Sequence, residues 1–158
     1  MTRVRADMND VNLHYFLRPD HHDAARIWAA TSAMVLPDHE FDDRRGWLFN
    51  HIEDLHDRGA STVVAIDALN GRLRGFVTID PDSKQLHQIV VAPEALGSGL
   101  ARMLLAEARD VAPARMAVEV LRDNARALRF FEREGFRRIG EGRDELTGEV
   151  SVKLEWRA

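Results

Sequence analysis

The segment Val91-Ala92-Pro93-Glu94-Ala95-Leu96-Gly97-Ser98-Gly99-Leu100-Ala101-Arg102-Met103-Leu104-Leu105 decides the reading of this chain. The apolar run Leu86 to Val91 reads as a strand that stops at Ala92-Pro93, because proline removes a ladder donor. Beyond the turn, Leu100, Met103, Leu104 and Ala108 recur at helical spacing, so a helix is expected from about Gly99 to Arg109. Between strand and helix stand two glycines one residue apart. Glycine tolerates positive φ and close backbone approach, while a helix N-terminus offers unpaired N–H groups and partial positive charge. Together these features make a phosphate cradle that uses few side chains. The plain alternative is a helix that merely begins after a glycine turn. Other phosphate motifs are absent: there is no Gly-x-x-x-x-Gly-Lys-Ser/Thr run, and a dinucleotide Gly-x-Gly-x-x-Gly pattern would need glycine at Arg102.

Working outward, Val11 to Leu17 reads as a first strand ended by Arg18-Pro19-Asp20. Two helices follow. One runs from Asp23 to Val35, with Ile27, Trp28, Thr31, Met34 and Val35 on a face. The second runs from Asp42 or Asp43 to Arg58, with Trp47, Leu48, Ile52 and Leu55 inward and Gly59 as its stop. Thr62 to Ile66 and Arg74 to Asp80 form a hairpin around Asn70-Gly71, with Leu86 to Val91 as the next strand. Past the glycine turn come a strand at Met116 to Leu121 and a helix capped by Asp123 or Asn124 and closed by Gly135. Strands at Arg137 to Gly140 and Val150 to Trp156 finish the chain. The order is βααβββαβαββ. The strand–helix–strand unit from Leu86 to Leu121 implies one parallel pair inside a mixed, largely antiparallel sheet flanked by helices, an α/β layered fold.

Composition bounds the function. A chain of 158 residues with 45% hydrophobic and 30% charged residues fits one soluble domain spanning 1–158, with residues 1–10 a loose polar leader. Zero cysteine excludes disulfides, thiolate metal sites and a cysteine nucleophile. A net charge of −4 argues against nucleic acid as partner. No apolar stretch is long enough for a membrane span, and no secretory signal is visible, so a cytoplasmic location is expected. Six of the seven histidines precede residue 57. However, His51 and His56 lie five apart rather than on one helix face, and His21-His22 suits a solvated helix start, so no metal site is expected.

With Val91-Ala92-Pro93 and Leu96-Gly97-Ser98-Gly99-Leu100-Ala101 in place, the chain resembles the GNAT superfamily of acyl-CoA-dependent N-acyltransferases. A second stretch carries the same resemblance: Asn124, Ala127, Phe130, Phe131, Gly135 and Phe136 match the family's penultimate-helix pattern. The resemblance covers about Val11 to Trp156. It implies transfer of acetyl from acetyl-CoA to a primary amine of a small molecule or peptide, with a non-catalytic acyl-CoA-binding module as the alternative. It further implies a CoA site. Leu96, Gly97, Ser98, Gly99, Leu100, Ala101 and Arg102 would sit at the pyrophosphate, Ile89, Val90 and Val91 along the pantetheine arm, and Asn124, Ala127, Phe130 and Phe131 on the following helix. The acyl carbonyl would accept a backbone N–H bond near Val91. Two positions depart from the family pattern: Leu96 replaces a polar residue, and Phe131 replaces a tyrosine associated with protonating the leaving thiolate, which phenylalanine cannot do.

An alkylamine is protonated at neutral pH, with a pKa of about 10.4, so a base is needed. His87, of ordinary pKa about 6.5, and Gln88 lie on the strand that would flank the acyl group. Alternation turns only one of the two toward substrate unless a bulge intervenes. Glu119 is a second candidate base, and Asn124 joins the catalytic candidates. His87 as an outer-face residue and Glu119 as a solvated carboxylate remain the plain alternatives. The acidic run Asp38, His39, Glu40, Asp42 and Asp43 would frame a pocket for a cationic amine or else complement a helix dipole. Trp28, Phe41 and Trp47 would wall that pocket or pack as core. The final strand, Val150 to Trp156, offers an edge for a homodimer.

Overall fold

The computed structural model describes residues 2–5 and 10–158. Its strands are β1 (Thr2–Arg5), β2 (Asp10–Tyr15), β3 (Ser61–Asp67), β4 (Leu73–Ile79), β5 (Gln85–Val91), β6 (Arg115–Leu121), β7 (Arg137–Arg143) and β8 (Val150–Arg157). Its helices are α1 (His21–Val35), α2 (Arg45–Asp57), α3 (Leu100–Val111) and α4 (Ala125–Arg133). The strands form one sheet in the order β1-β2-β3-β4-β5-β6-β8-β7. Every pairing is antiparallel except β5 with β6, the parallel pair that the strand–helix–strand unit requires.

Four expectations need correction. Residues 2–5, expected within a loose leader, form β1 against β2. Residues 1 and 6–9 of that leader lie outside the described residues. Helix α2 begins at Arg45 rather than Asp42 or Asp43. Glu40 adopts a left-handed conformation at φ 50°, and the chain after it makes a short 3-10 turn over Phe41–Arg44. Met34, expected on a packed face, is 60% exposed. Finally, Val150 to Trp156 is not an edge: β8 lies between β6 and β7, so both rows of its backbone groups face neighbours.

Each face of the sheet carries its own core. On one side Val77, Ile79, Leu86, Met116, Val118, Val120 and Leu154 pack against Leu100, Leu104, Leu105 and Ala108 of α3 and Leu128 and Phe131 of α4. On the other, Val64, Phe76 and Val90 pack against Ala24, Ile27 and Trp28 of α1 and Leu48 and Ile52 of α2. Because side chains alternate along a strand, these clusters assign a face to every residue of β5 and β6. Gly75 of β4 makes the α3 face tight, for a Cβ there would lie 2.8 Å from the Val90 carbonyl oxygen and 3.0 Å from Leu104 Cδ1. The β3–β4 hairpin is pinned by Asp67, which accepts the Leu69 N–H at 2.8 Å and the Arg74 guanidinium at 2.9 Å.

Candidate active site

Strands β5 and β6 pair only at Gln85 with Ala117 and Leu86 with Val118; beyond that point they part. The Ala92 N–H donates to the Arg74 carbonyl at 2.7 Å, on the β4 side. Alternation then sends Val90 the same way and directs the N–H and C=O groups of Ile89 and Val91 into the gap. A strand edge lined with unpaired backbone groups is thus held open inside the sheet.

The glycine turn sits beside it. Gly97 and Gly99 have φ of 79° and 90°, which only glycine adopts without strain, so the sequence itself dictates the turn. The Ser98 N–H donates to the Ala95 carbonyl, and the buried Ser98 hydroxyl lies 3.4 Å from the Leu100 nitrogen. This leaves the amides of Gly97, Gly99, Ala101 and Arg102 without an acceptor among the described residues. Ser98 faces the core and stands apart from the residues that line the cavity. Leu96, Gly97, Gly99, Leu100, Ala101 and Arg102 all line it, as do Ala127, Phe130 and Phe131 of α4. Three arginines gather at this end, Arg102, Arg126 and Arg133, together with Glu134, which Arg102 meets at 3.4 Å. Of the three, only Arg102 belongs to the glycine-turn motif, since Arg126 and Arg133 arrive through α4.

The cavity holds about 850 Å³ and passes through the gap to the α1–α2 face. There the β4–β5 register steps from Thr78 opposite Gln88 to Ile79 opposite Leu86, which makes His87 the extra residue of a β-bulge. Leu86 belongs to the α3 core and Val90 to the α1–α2 core, so both His87 and Gln88 turn to the α1–α2 face. The intervening bulge is therefore real, and both line the cavity. Across the gap, Val118 and Val120 take the α3 side and Glu119 takes the α1–α2 side with them. Glu119 Oε2 accepts a hydrogen bond from Ser151 Oγ at 2.8 Å.

Burial pushes the His87 imidazole below the ordinary histidine value, and the neighbouring His51 lowers it further, with Asp80 opposing. The two rings stand 6.4 Å apart. His51 in turn stacks on Trp47 at 4.6 Å, Trp47 on Trp28 at 5.8 Å, and Trp28 meets Phe41 edge-on at 5.4 Å. Trp28 and Phe41 are at once core and wall, since both are buried and both line the cavity. The acidic run does not frame this space. Asp42 pairs with Arg45 at 2.7 Å, His39 pairs with Glu149 at 3.4 Å, and neither they nor Asp38, Glu40 or Asp43 line the cavity. The carboxylates that line this end are Glu119, Asp123 just beyond β6 and Asp144 on the β7–β8 loop.

Two sequence candidates have other duties. The Asn124 side chain accepts the Ala127 N–H at 3.1 Å and so caps α4, although the residue also borders the cavity. Phe131 is 2% exposed and packs between Phe130 and Phe136 at 5.2 and 5.0 Å. Thr31, Ser32, Leu146 and Thr147 also line the α1–α2 end, and only the fold brings residues 31 and 146 together.

The model of the acetyltransferase (GNAT) family matches residues 20–136. Among solved structures, a GCN5-related N-acetyltransferase from Rhodopseudomonas palustris is similar over 100% of this chain and 99% of that one, at 16% identity and a TM-score of 0.76. YjaB from Escherichia coli is similar over 92% and 97%, at 18% identity and a TM-score of 0.73. The PaiA N-acetyltransferase from Thermoplasma acidophilum, solved in complex with coenzyme A, is similar over 94% and 99%, at 17% identity and a TM-score of 0.71. At such identities these likenesses speak for the fold. Among curated proteins no sequence matches.

Proposed function

The chain belongs to the acetyltransferase (GNAT) family, which uses acetyl-CoA, and we propose that it moves acetyl from acetyl-CoA directly to a primary amine in a ternary complex. The observation that carries this reading is the continuity of one cavity. It joins four free amides and three arginines, through a gap edged by Ile89 and Val91, to His87, Gln88 and Glu119. Free N–H groups and arginines suit a pyrophosphate, and the strand edge suits the amide-rich pantetheine arm as an added strand.

The chemistry follows from these groups. Neutral His87, through water, takes one proton from the ammonium. The freed nitrogen attacks the thioester carbon, a C–N bond forms, and the carbonyl oxygen gains charge that the Val91 N–H stabilises. Collapse breaks the C–S bond, and the nitrogen's surplus proton passes through water to the departing thiolate. With Phe131 unable to donate, water is the acid. Binding two substrates in one cavity replaces a covalent enzyme intermediate, and proximity supplies much of the rate.

The test mixes pure protein with acetyl-CoA and a panel of primary amines and follows free thiol. Thiol release that depends on amine and saturates in both substrates is expected. Saturable CoA binding without turnover on any amine would favour the non-catalytic module instead.

A further inference from the structure

The end of the cavity that suits an anion also carries a carboxylate. Glu134, the residue that closes α4, lines it beside Arg102, Arg126 and Arg133. We infer that Glu134 is a rival of the cofactor: it holds Arg102 in the CoA-free protein, a phosphate of CoA takes Arg102 over on binding, and the exchange loosens the hold on CoA. The inference rests on the acetyl-CoA reading above and deepens it.

The carboxylate is fixed. Arg109, in the last turn of α3, donates from one terminal nitrogen to Glu134 Oε1 at 3.1 Å and from the other to the Glu134 carbonyl at 2.6 Å. The same guanidinium lies over the Trp156 ring, 4.7 Å from its centroid. The Glu134 N–H donates back to the Phe130 carbonyl at 3.0 Å, and its side chain is only 12% exposed. A residue tied at both its backbone and its carboxylate by one stacked arginine does not turn away from an arriving anion.

Arg102 is the loose partner. Its Nε meets Glu134 Oε2 at 3.4 Å in a single contact, and its side chain is 78% exposed. Exposed pairs of this kind contribute little, so this is the pair that gives way. Arg102 is also part of the cradle, for it stands in the first turn of α3 and its own N–H is one of the four free amides. Of the three arginines at this end, it is the one with a carboxylate partner among the described residues.

A phosphate takes the fork of a guanidinium as a carboxylate does, and here it would have the free amides beside it as well. It therefore wins Arg102. What remains after the exchange is Glu134, still held by Arg109 and within an arginine's reach of the phosphate, where like charge opposes binding. That opposition suits a site that must release CoA after each transfer.

The test titrates CoA into the whole protein by calorimetry, wild type against Glu134→Gln, at about 50 and about 500 mM NaCl. Glutamine keeps an oxygen for Arg109 and leaves the carbonyl bond untouched. Glu134→Gln is expected to bind CoA at least about 3-fold tighter at the lower salt. The gain should shrink below about 1.5-fold at the higher salt, where charges are screened over a short distance. Equal or weaker binding at the lower salt overturns the inference, and so does a gain that salt leaves intact, which would be a packing effect. In an Arg102→Gln background the gain should fall below about 1.5-fold, because the two residues act as a pair. A gain as large as with Arg102 present overturns the exchange. Arginine Nε–H signals in NMR spectra of the wild type give a measurement that needs no stable variant. CoA should move the Arg102 signal and leave that of Arg109 in place, and any other pattern overturns the division into loose and fixed partners. A wild type that binds no CoA refutes the acetyl-CoA reading itself, whereas binding without the gain refutes only this one.

Discussion

Gly75→Ala is the most direct probe of how this fold holds its cradle. The glycine sits on β4 opposite Val91, beneath the first turns of α3. An added methyl would meet three neighbours, the Val90 carbonyl oxygen at 2.8 Å, Leu104 Cδ1 at 3.0 Å and Leu100 Cδ2 at 3.3 Å. The leucine tips can move by a few tenths of an ångström, but the carbonyl belongs to β5 and cannot move without disturbing the strand. Overpacking of this kind costs about 1–3 kcal/mol, and a backbone contact puts it in the upper half, about 2–3 kcal/mol. For a chain of this size each kcal/mol lowers Tm by about 2–4 °C, so a loss of about 4–12 °C is expected by differential scanning fluorimetry. The strain also lands between Val90 and Leu100, the two sides of the proposed CoA site. CoA binding by calorimetry should therefore weaken at least about 10-fold, equivalent to about 1.4 kcal/mol. Gly46→Ala is the control, since a methyl there meets nothing within 4 Å on α2 and removes a helical glycine, an expected gain of up to about 1 kcal/mol. If Gly75→Ala melts within about 1 °C of wild type and binds CoA equally well, α3 does not pack on β4 as described and the reasoning fails.

Other substitutions test separate links. A neutral histidine base gives a rate that rises with pH through its pKa, and burial with His51 places that rise below the ordinary value of about 6.5. His87→Ala should erase this limb and lower kcat/KM about 100-fold, whereas an unchanged pH–rate profile would remove His87 as base. Asn124→Ala removes the cap of α4 and should cost about 1 kcal/mol, or about 2–4 °C, with kcat unchanged. A fall in kcat larger than the stability loss would instead restore it as a catalytic group. Phe131→Tyr should change kcat by less than about 10-fold, because a thiolate of pKa about 8.5 takes its proton from water readily; a larger gain would show that the thiolate needs an acid. Asp67 is held below the ordinary carboxylate range by the Leu69 N–H, and Arg74 adds to the effect. Its contribution is present above the unfolded pKa of about 3.9 and is lost as pH falls through the lower folded value. Asp67→Asn should thus lower Tm at pH 7, and the gap to wild type should close as pH falls below the folded value. A gap that persists there would mean that Asp67 acts through packing.

The parts of the fold that were legible in the sequence are those written locally. Gly97 and Gly99 need positive φ, Asn70-Gly71 makes a hairpin, Asn124 caps α4, and the helical period after Gly99 marks α3. What stayed illegible depends on residues meeting from afar. Whether β8 is an edge depends on where β7 docks, and whether His87 and Gln88 share a face depends on one residue of slip against β4. That slip matters most, since without it one of the two would point into the α3 core and the acceptor side would lose a polar group. The acidic run misled for a similar reason. Its charges are local, but Asp42 and His39 have partners at Arg45 and Glu149, while the cavity takes carboxylates from elsewhere, Glu119 on β6 and Asp123 just beyond it among them. The net charge of −4 is likewise an average over two ends of unlike sign. Arg102, Arg126 and Arg133, with Glu134 paired to Arg102, collect where an anionic ligand would enter, and Glu119, Asp123 and Asp144 where an amine would. A site that must hold an anion and a cation a few residues apart needs that separation, which a sum over the sequence hides.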